Sequence, residues 1–240
     1  LVVKPVLSSG GLGLKHLSAP ASIQELAAHL ADSGFADDTK WLLQRELSGR
    51  LLSFEGYVDK GQLHPLGVSS RSRIGFTEVA NKYPAQYALE PELVERGWAC
   101  VRALVSRARY DYGYFHCEFI QCDASVYLVD ANIGRIGGAT LLEQIALAHD
   151  LDIEDLLAHV LLLPLLKHRL PPRLAQRINK ARHATLGIWY GMPVSARLDQ
   201  VSLPTLLGKH TQFSADGNTV PCVGESDYAW VGMLSGLEHD

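Results

Sequence analysis

The sequence predicts an α+β fold. Two observations carry this. Two stretches of alternating text fold back on themselves around short polar turns, and stripes of apolar residues at helical spacing stand between and after them. A third observation, 47% hydrophobic against 20% charged residues over 240 positions, says that the chain can bury a sizeable core.

Taken in order, residues 1–7 read as a strand, followed by Ser8-Ser9-Gly10-Gly11-Leu12-Gly13, too rich in glycine for a rigid element. Ser22-Ile23-Gln24-Glu25 is a capping box that opens a helix reaching about Asp32. Residues 41–47 read as a strand, and 51–58 with 62–69 as a hairpin around Asp59-Lys60-Gly61. Residues 91–109 form an amphipathic helix, with Leu93, Val94, Trp98, Val101, Leu104 and Val105 on one stripe. Residues 112–121 and 125–131 make a second hairpin, and 140–148 and 153–166 are helical. Beyond Pro171-Pro172 come short strands at 187–190, 219–223 and 229–234. The text opens inside a strand without a Met, which reads as a chain begun part-way into a longer protein.

Composition excludes several classes. A net charge of −4 argues against nucleic acid, which needs clustered Lys and Arg to neutralise phosphates. Cys100, Cys117, Cys122 and Cys222 form no CxxC, so they read as reduced thiols in a cytoplasmic protein. The apolar run near 156–166 is interrupted by His159 and Pro164 and falls short of the ~20 residues that span a bilayer, so no membrane partner is expected. That run suits a core, or a contact between two copies in a homodimer.

Chemistry concentrates in the second hairpin. With a period of two, His116, Glu118 and Ile120 share one face, and so do Asp130 and Asn132. A three-residue turn, Asp123-Ala124-Ser125, sets Cys122 against Val126 and Glu118 against Asp130; a two-residue turn offsets this by one. In the first register two carboxylates and an amide oxygen meet. Opposed like charges destabilise a sheet, and a hard cation such as Mg²⁺ removes the repulsion. Lys4 before a glycine-rich loop suits polyphosphate, whose oxygens backbone N–H groups cradle. Asp130-Ala131-Asn132-Ile133-Gly134-Arg135-Ile136-Gly137-Gly138 places a guanidinium beside the acids, suited to a carboxylate or a transferring phosphoryl group. His116 reads as a structural hydrogen-bonding group, Cys117 as packing, and Arg71 and Arg73 as solvated loop arginines.

These motifs in this order resemble the ATP-grasp superfamily, two α+β subdomains gripping a nucleotide. More narrowly they resemble its carboxylate–amine ligase branch, which includes L-amino-acid (dipeptide) ligases. The carrying text is the Lys4 strand and glycine loop, Leu42-Leu43-Gln44-Arg45-Glu46-Leu47-Ser48-Gly49, Phe115-His116-Cys117-Glu118-Phe119-Ile120, and Val129-Asp130-Ala131-Asn132 with Arg135 and Gly137-Gly138. Ile74-Gly75-Phe76-Thr77-Glu78 before Tyr83-Pro84 is similar to a segment of that branch near its substrate. The resemblance covers about residues 1–150, with 151–240 as a C-terminal extension.

It implies Mg²⁺ (or Mn²⁺) on Glu118, Asp130 and Asn132, and ATP on Lys4, Ser9, Gly10, Gly11, Gly13, Gln44, Glu46 and Leu47. It implies Lys4 and Arg135 as catalytic groups, and Glu78, Arg135, Gly137 and Gly138 as contacts to small-molecule carboxylate and amine substrates. The domains implied are 1–50 as the remainder of a central subdomain, 51–150 as the subdomain with the metal site, and 151–240 packed on it. Three positions depart from the usual pattern: Asp130 stands where Glu is usual, Asn132 and Arg135 are one residue further apart, and Leu51 replaces an acid that helps to hold ribose. The implied reaction is amide formation through an acyl phosphate. Its rivals are a biotin-carboxylase-like carboxylation and a nucleotide-binding module impaired in catalysis.

Overall fold

The computed structural model describes residues 1–7, 13–17, 23–36, 38–138, 140–171, 174, 178, 180–203, 208–226 and 229–238. The glycine loop from Ser9 to Gly11 and the capping Ser22 lie outside them. The chain divides into two compact units, Leu1–Ser48 and Gly49–Asp240.

In the first unit, strand β1 (Val2–Pro5) pairs antiparallel with β2 (Lys15–His16) on one side and β3 (Trp41–Gln44) on the other. Helix α1 covers Ile23–Asp32. Val3 is buried, and the half-buried Trp41 takes edge-on contacts from His29 of α1 and from Phe35 beyond it, which ties the helix to the small sheet. The third strand stops at Gln44, short of the expected 47.

The second unit is built on one antiparallel sheet. Its main strands are β4 (Arg50–Asp59), β5 (Gln62–Ile74), β6 (Thr77–Tyr83), β7 (Tyr112–Cys122), β8 (Ser125–Ile133), β9 (Thr185–Tyr190), β11 (Lys209–Gln212) and β13 (Gly232–Leu237). Their order is β11-β13-β9-β6-β5-β4-β7-β8. Two short strands, β10 (Ala196–Arg197) and β12 (Thr219–Val220), pair separately. The β4–β5 hairpin closes on Lys60 and Gly61, at φ 53° and 74°, the two left-handed residues that a tight hairpin turn demands.

One face of this sheet is apolar. Leu52, Phe54, Val58, Val68, Phe115, Cys117 and Phe119 pack against Leu93, Trp98, Val101 and Val105 of helix α2 (Pro91–Arg107). A Cβ on Gly97 would lie 2.0 Å from the Phe54 ring, so the absence of a side chain there lets α2 seat directly on the strands. The other face is apolar at one end only, where Tyr57, Tyr83 and Tyr114 meet Leu141 and Ile145 of α3 (Leu141–Ala148) and Leu156 and Leu163 of α4 (Ile153–Leu166). Next to that end it carries Ser53 and Glu55 of β4 and His116 and Glu118 of β7, and the candidate site lies there.

Three local expectations are corrected. The β7–β8 turn has two residues, since Cys122 pairs with Ser125, and Asp123 takes the left-handed conformation at φ 53°. Glu118 nonetheless faces Asp130, because a bulge at Val129 restores the register that a two-residue turn would have offset. Arg71 and Arg73 belong to β5, which runs five residues past its expected end, and its partner β6 was not expected as a strand. The late strands also shift, to Thr219–Val220 and Gly232–Leu237. Residues 185–190 and 232–237 continue the same sheet as β4–β8, so the C-terminal stretch shares the second unit's architecture.

Candidate active site

Register determines which residues share the polar face. His116 and Glu118 on β7 pair with Glu55 and Ser53 on β4 and with Asn132 and Asp130 on β8. Ser53 pairs with Ser69 on β5, their hydroxyls 2.5 Å apart, and Arg71 follows two residues along on the same side. Arg71 pairs with Asn81, and Arg73 with Glu78, on β6. Four adjacent strands thus deliver Glu55, His116, Glu118, Arg71 and Glu78 to one surface.

Their side chains form a continuous ionic chain. Glu55 Oε1 meets His116 Nδ1 at 2.5 Å, and His116 Nε2 meets Glu118 Oε1 at 2.9 Å. Arg71 Nη2 reaches the same Glu118 oxygen at 2.7 Å, and its Nη1 reaches Glu78 Oε2 at 3.1 Å. Glu55 is wholly buried and Arg71 is 11% exposed. Glu55 Oε2 and Arg71 Nε have no hydrogen-bond partner among the described residues. Three carboxylates and two cations alternate, which is how a low-dielectric site tolerates charge.

The titration shifts follow from this alternation. Burial pushes Glu118 up, but His116 and Arg71 outweigh it and hold the carboxyl well below the usual range. Burial disfavours the imidazolium of His116, yet Glu55 and Glu118 raise it from 6.5 to about 9. Burial likewise opposes the charge on Arg71, and Glu118 and Glu78 overcome it. Glu78 is raised, with burial exceeding the pull of Arg71. Behind the strand, burial pushes the Cys117 thiol up to about 12.

A pH dependence follows. His116 has a raised folded-state pKa, so its contribution to stability is complete below about 6.5 and is lost as pH rises through about 9. Cys117, raised also, adds a loss between about 9 and 12. Glu118 is lowered, so its contribution is present above its ordinary value of 4.5 and is lost as pH falls below it. Glu78 is raised, so its contribution is complete below about 4.5 and is lost as pH rises above it. Stability by urea unfolding is therefore expected to decline already above about 4.5, and His116 adds a fall of up to about 1.4 kcal/mol per pH unit between about 6.5 and 9. His116→Gln should remove that alkaline slope; an unchanged slope would assign it to another group.

The remaining expected ligands sit at the edge of this chain. Asp130 accepts from the Ala131 amide at 3.0 Å and from Asn132 Nδ2 at 2.8 Å. Arg135 donates from Nε to Asn132 Oδ1 at 3.2 Å and from Nη1 to the Ile136 carbonyl at 3.4 Å. All three are exposed or half-buried. Glu118, Asp130 and Asn132 offer oxygen donors only, as a hard divalent cation prefers. Among the described residues no three His, Cys, Asp or Glu side chains converge as metal ligands, and this set holds only two carboxylates with an amide. Gly137 lies against the His116 ring, and a cleft of about 570 Å³ beside it is lined by Gly137, Gly138, Thr140, Leu142, Glu143 and Leu157.

Of the ATP residues expected in the first unit, Ser9, Gly10 and Gly11 lie outside the described residues. Lys4 is half-buried on β1 opposite Leu42, Gln44 ends β3, and Leu47 follows it. Glu46 pairs with His16 at 2.6 Å, and Gly13 has φ 77°. The sequence reading missed Glu55 and took Arg71 for solvated. The available signal for Glu55 was a lone carboxylate inside the apolar run Leu51 to Val58, the same kind of signal that singled out Lys4.

Two antiparallel units of this kind, the second built on a sheet with one polar face, make up the ATP-grasp fold, and the chain has that fold. Among solved structures it resembles an L-amino acid ligase from Bacillus licheniformis, at 16% identity and TM-score 0.76, covering 100% of this chain and 59% of that one. It also resembles the biotin carboxylase domain dimer of Hydrogenobacter thermophilus 2-oxoglutarate carboxylase with MgADP and bicarbonate, at 15% identity and TM-score 0.67, covering 98% and 52%. A third is phosphoribosylglycinamide synthetase from Anaerococcus prevotii, at 13% identity and TM-score 0.58, covering 100% and 59%. The chain thus spans a little over half the length of these structures. No family model matches the sequence, and no curated protein does.

Proposed function

We propose that the chain carries the metal and phosphate chemistry of an ATP-dependent carboxylate–amine ligase, which forms an amide through an acyl phosphate. The observation that supports it most is the pairing of Glu118 with Asp130, beside Asn132 and Arg135, on the polar face of an ATP-grasp sheet. Glu118, Asp130 and Asn132 would hold Mg²⁺ or Mn²⁺, which when bound neutralises phosphate oxygens during transfer. Arg135, exposed at the end of β8, grips the reacting carboxylate and offsets the charge that develops on it. Glu78, whose carboxylate stands beside Arg71 at the sheet's polar end, takes the substrate ammonium. Gly137 and Gly138 let substrate approach the backbone. In the first unit, the reading assigns Lys4, Ser9, Gly10, Gly11 and Gly13 to phosphate, and Gln44, Glu46 and Leu47 to adenine. The protein's contribution is positioning and charge.

The test is a screen of ADP release with amino acids offered in pairs, against bicarbonate alone. Release that depends on an amine supports the ligase. Release that depends on bicarbonate would instead support the carboxylase reading, which the likeness to biotin carboxylases keeps in view. A second reading, a binding module impaired in catalysis, is favoured by the commitment of Glu118 Oε1 to Arg71 and His116. Ligand binding to the native state raises the unfolding midpoint, so no shift with Mg-ATP would support the impaired module.

We further propose small-molecule partners only, a reducing cytoplasmic compartment in keeping with four free cysteines, and homodimerisation through α4. Leu156 and Leu163 of that helix are buried, whereas Leu157, Leu161 and Leu165 face outward, 45%, 58% and 70% exposed, as a single stripe. Among the described residues no helix is long and apolar enough to cross a membrane.

A further inference from the structure

We propose that His116 is a positioning residue that couples the cation carboxylate Glu118 to the substrate loop at Gly137, an inference that rests on the ligase reading above. Three contacts meet on this one ring. Nδ1 is bound to the buried Glu55 at 2.5 Å, and Nε2 to Glu118 at 2.9 Å. The third contact is the backbone of Gly137, on which a Cβ would stand 2.7 Å from Nδ1 and 3.0 Å from Cε1. His116 also faces Asn132 across the β7–β8 pair, so it adjoins a second candidate ligand.

The ring cannot yield to a loop that presses on it. Its two nitrogens are held by two carboxylates, one of them wholly buried, and rotating the ring would break both bonds. A side chain at position 137 must therefore displace the loop, since it would press on this ring as well as on the buried Leu141, whose Cδ2 would stand 2.6 Å from the added Cβ. Glu55 anchors His116, His116 fixes the orientation of Glu118, and the same imidazole sets how deeply the loop of Arg135, Gly137 and Gly138 lies. The loop and the cation ligand then keep a fixed relation, as a supporting hydrogen bond does for a metal ligand. No side chain other than glycine at 137 fits this arrangement.

Mn²⁺ binding in the presence of adenylyl imidodiphosphate, followed by the paramagnetic resonance of free Mn²⁺, tests this on wild type, His116→Gln, Gly137→Ala and the double variant. Each single variant should raise the Mn²⁺ dissociation constant by roughly tenfold or more. The double variant should be no weaker than the worse single one, because both changes act through one contact. Gly137→Ala should also displace the His116 imidazole proton resonances with no cation or nucleotide present. Additive losses would overturn the proposal, as would wild-type Mn²⁺ binding in either single variant or unmoved imidazole resonances in Gly137→Ala. A wild type that binds no Mn²⁺ with the nucleotide would overturn the ligase reading and the coupling together, whereas failure confined to the variants overturns the coupling alone.

Discussion

Arg71→Met is expected to destabilise the second unit by about 3–5 kcal/mol, the scale of removing one partner from a buried ionic network. Arg71 is the only cation that touches both Glu118 and Glu78 among the described ion pairs. Methionine keeps the length and the packing of the stem but leaves two poorly solvated carboxylates, Glu118 with His116 and Glu78 with Arg73 across the β5–β6 pair, each short of the charge that Arg71 supplied. The loss is thus mainly uncompensated charge, and it has a signature. Without the guanidinium, both carboxyls bind protons more readily, so the deficit should shrink as pH falls from 7 towards 4. Urea unfolding of wild type and variant across that range measures it. A deficit below about 1 kcal/mol, or one independent of pH, would mean that the network is hydrated and that Arg71 is not its keystone.

The importance of Arg71 was not legible in the sequence, and the reason lies in its neighbours. Strand β6 carries Thr77, Asn81 and Tyr83 inward, each buried and each bonded: to the Ser226 carbonyl, Gln144 and His149 respectively. Alternation of apolar and polar residues cannot reveal a strand whose inward face is polar. Without β6 there was no reason to extend β5 past Ser69, so Arg71 fell in a loop. The hairpin of β7 and β8 was legible because its other face is fully apolar, with Phe115, Cys117 and Phe119 marking the period. Even there the pairing of Glu118 with Asp130 was reached through the wrong turn. A bulge at Val129, for which the sequence carries no evident signal, supplied the missing residue of register. Glycine at 137 was expected only as a substrate contact; the structure adds a cause for a glycine there, the close His116 ring.

The second large effect concerns Glu118. Glu118→Ala removes the one carboxylate that binds both Arg71 and His116, so it leaves two cations facing each other with Glu55 and Glu78 at the ends of the broken chain. Loss of ATP turnover in that variant would therefore be ambiguous between a missing cation ligand and a rearranged site. Glu118→Gln separates the two. The amide keeps a carbonyl oxygen that accepts from Arg71 or His116, and it keeps the side chain's shape, but it lacks the charge that a divalent cation selects. If Glu118 holds the cation, Glu118→Gln should lower the ADP release rate by about 10²–10³, the scale of losing one preorganised electrostatic contact, while stability falls far less than in Glu118→Ala. ADP release near wild type in a folded Glu118→Gln protein would remove Glu118 from the cation site and leave it a structural role, as the acceptor that lets Arg71 and His116 be buried side by side.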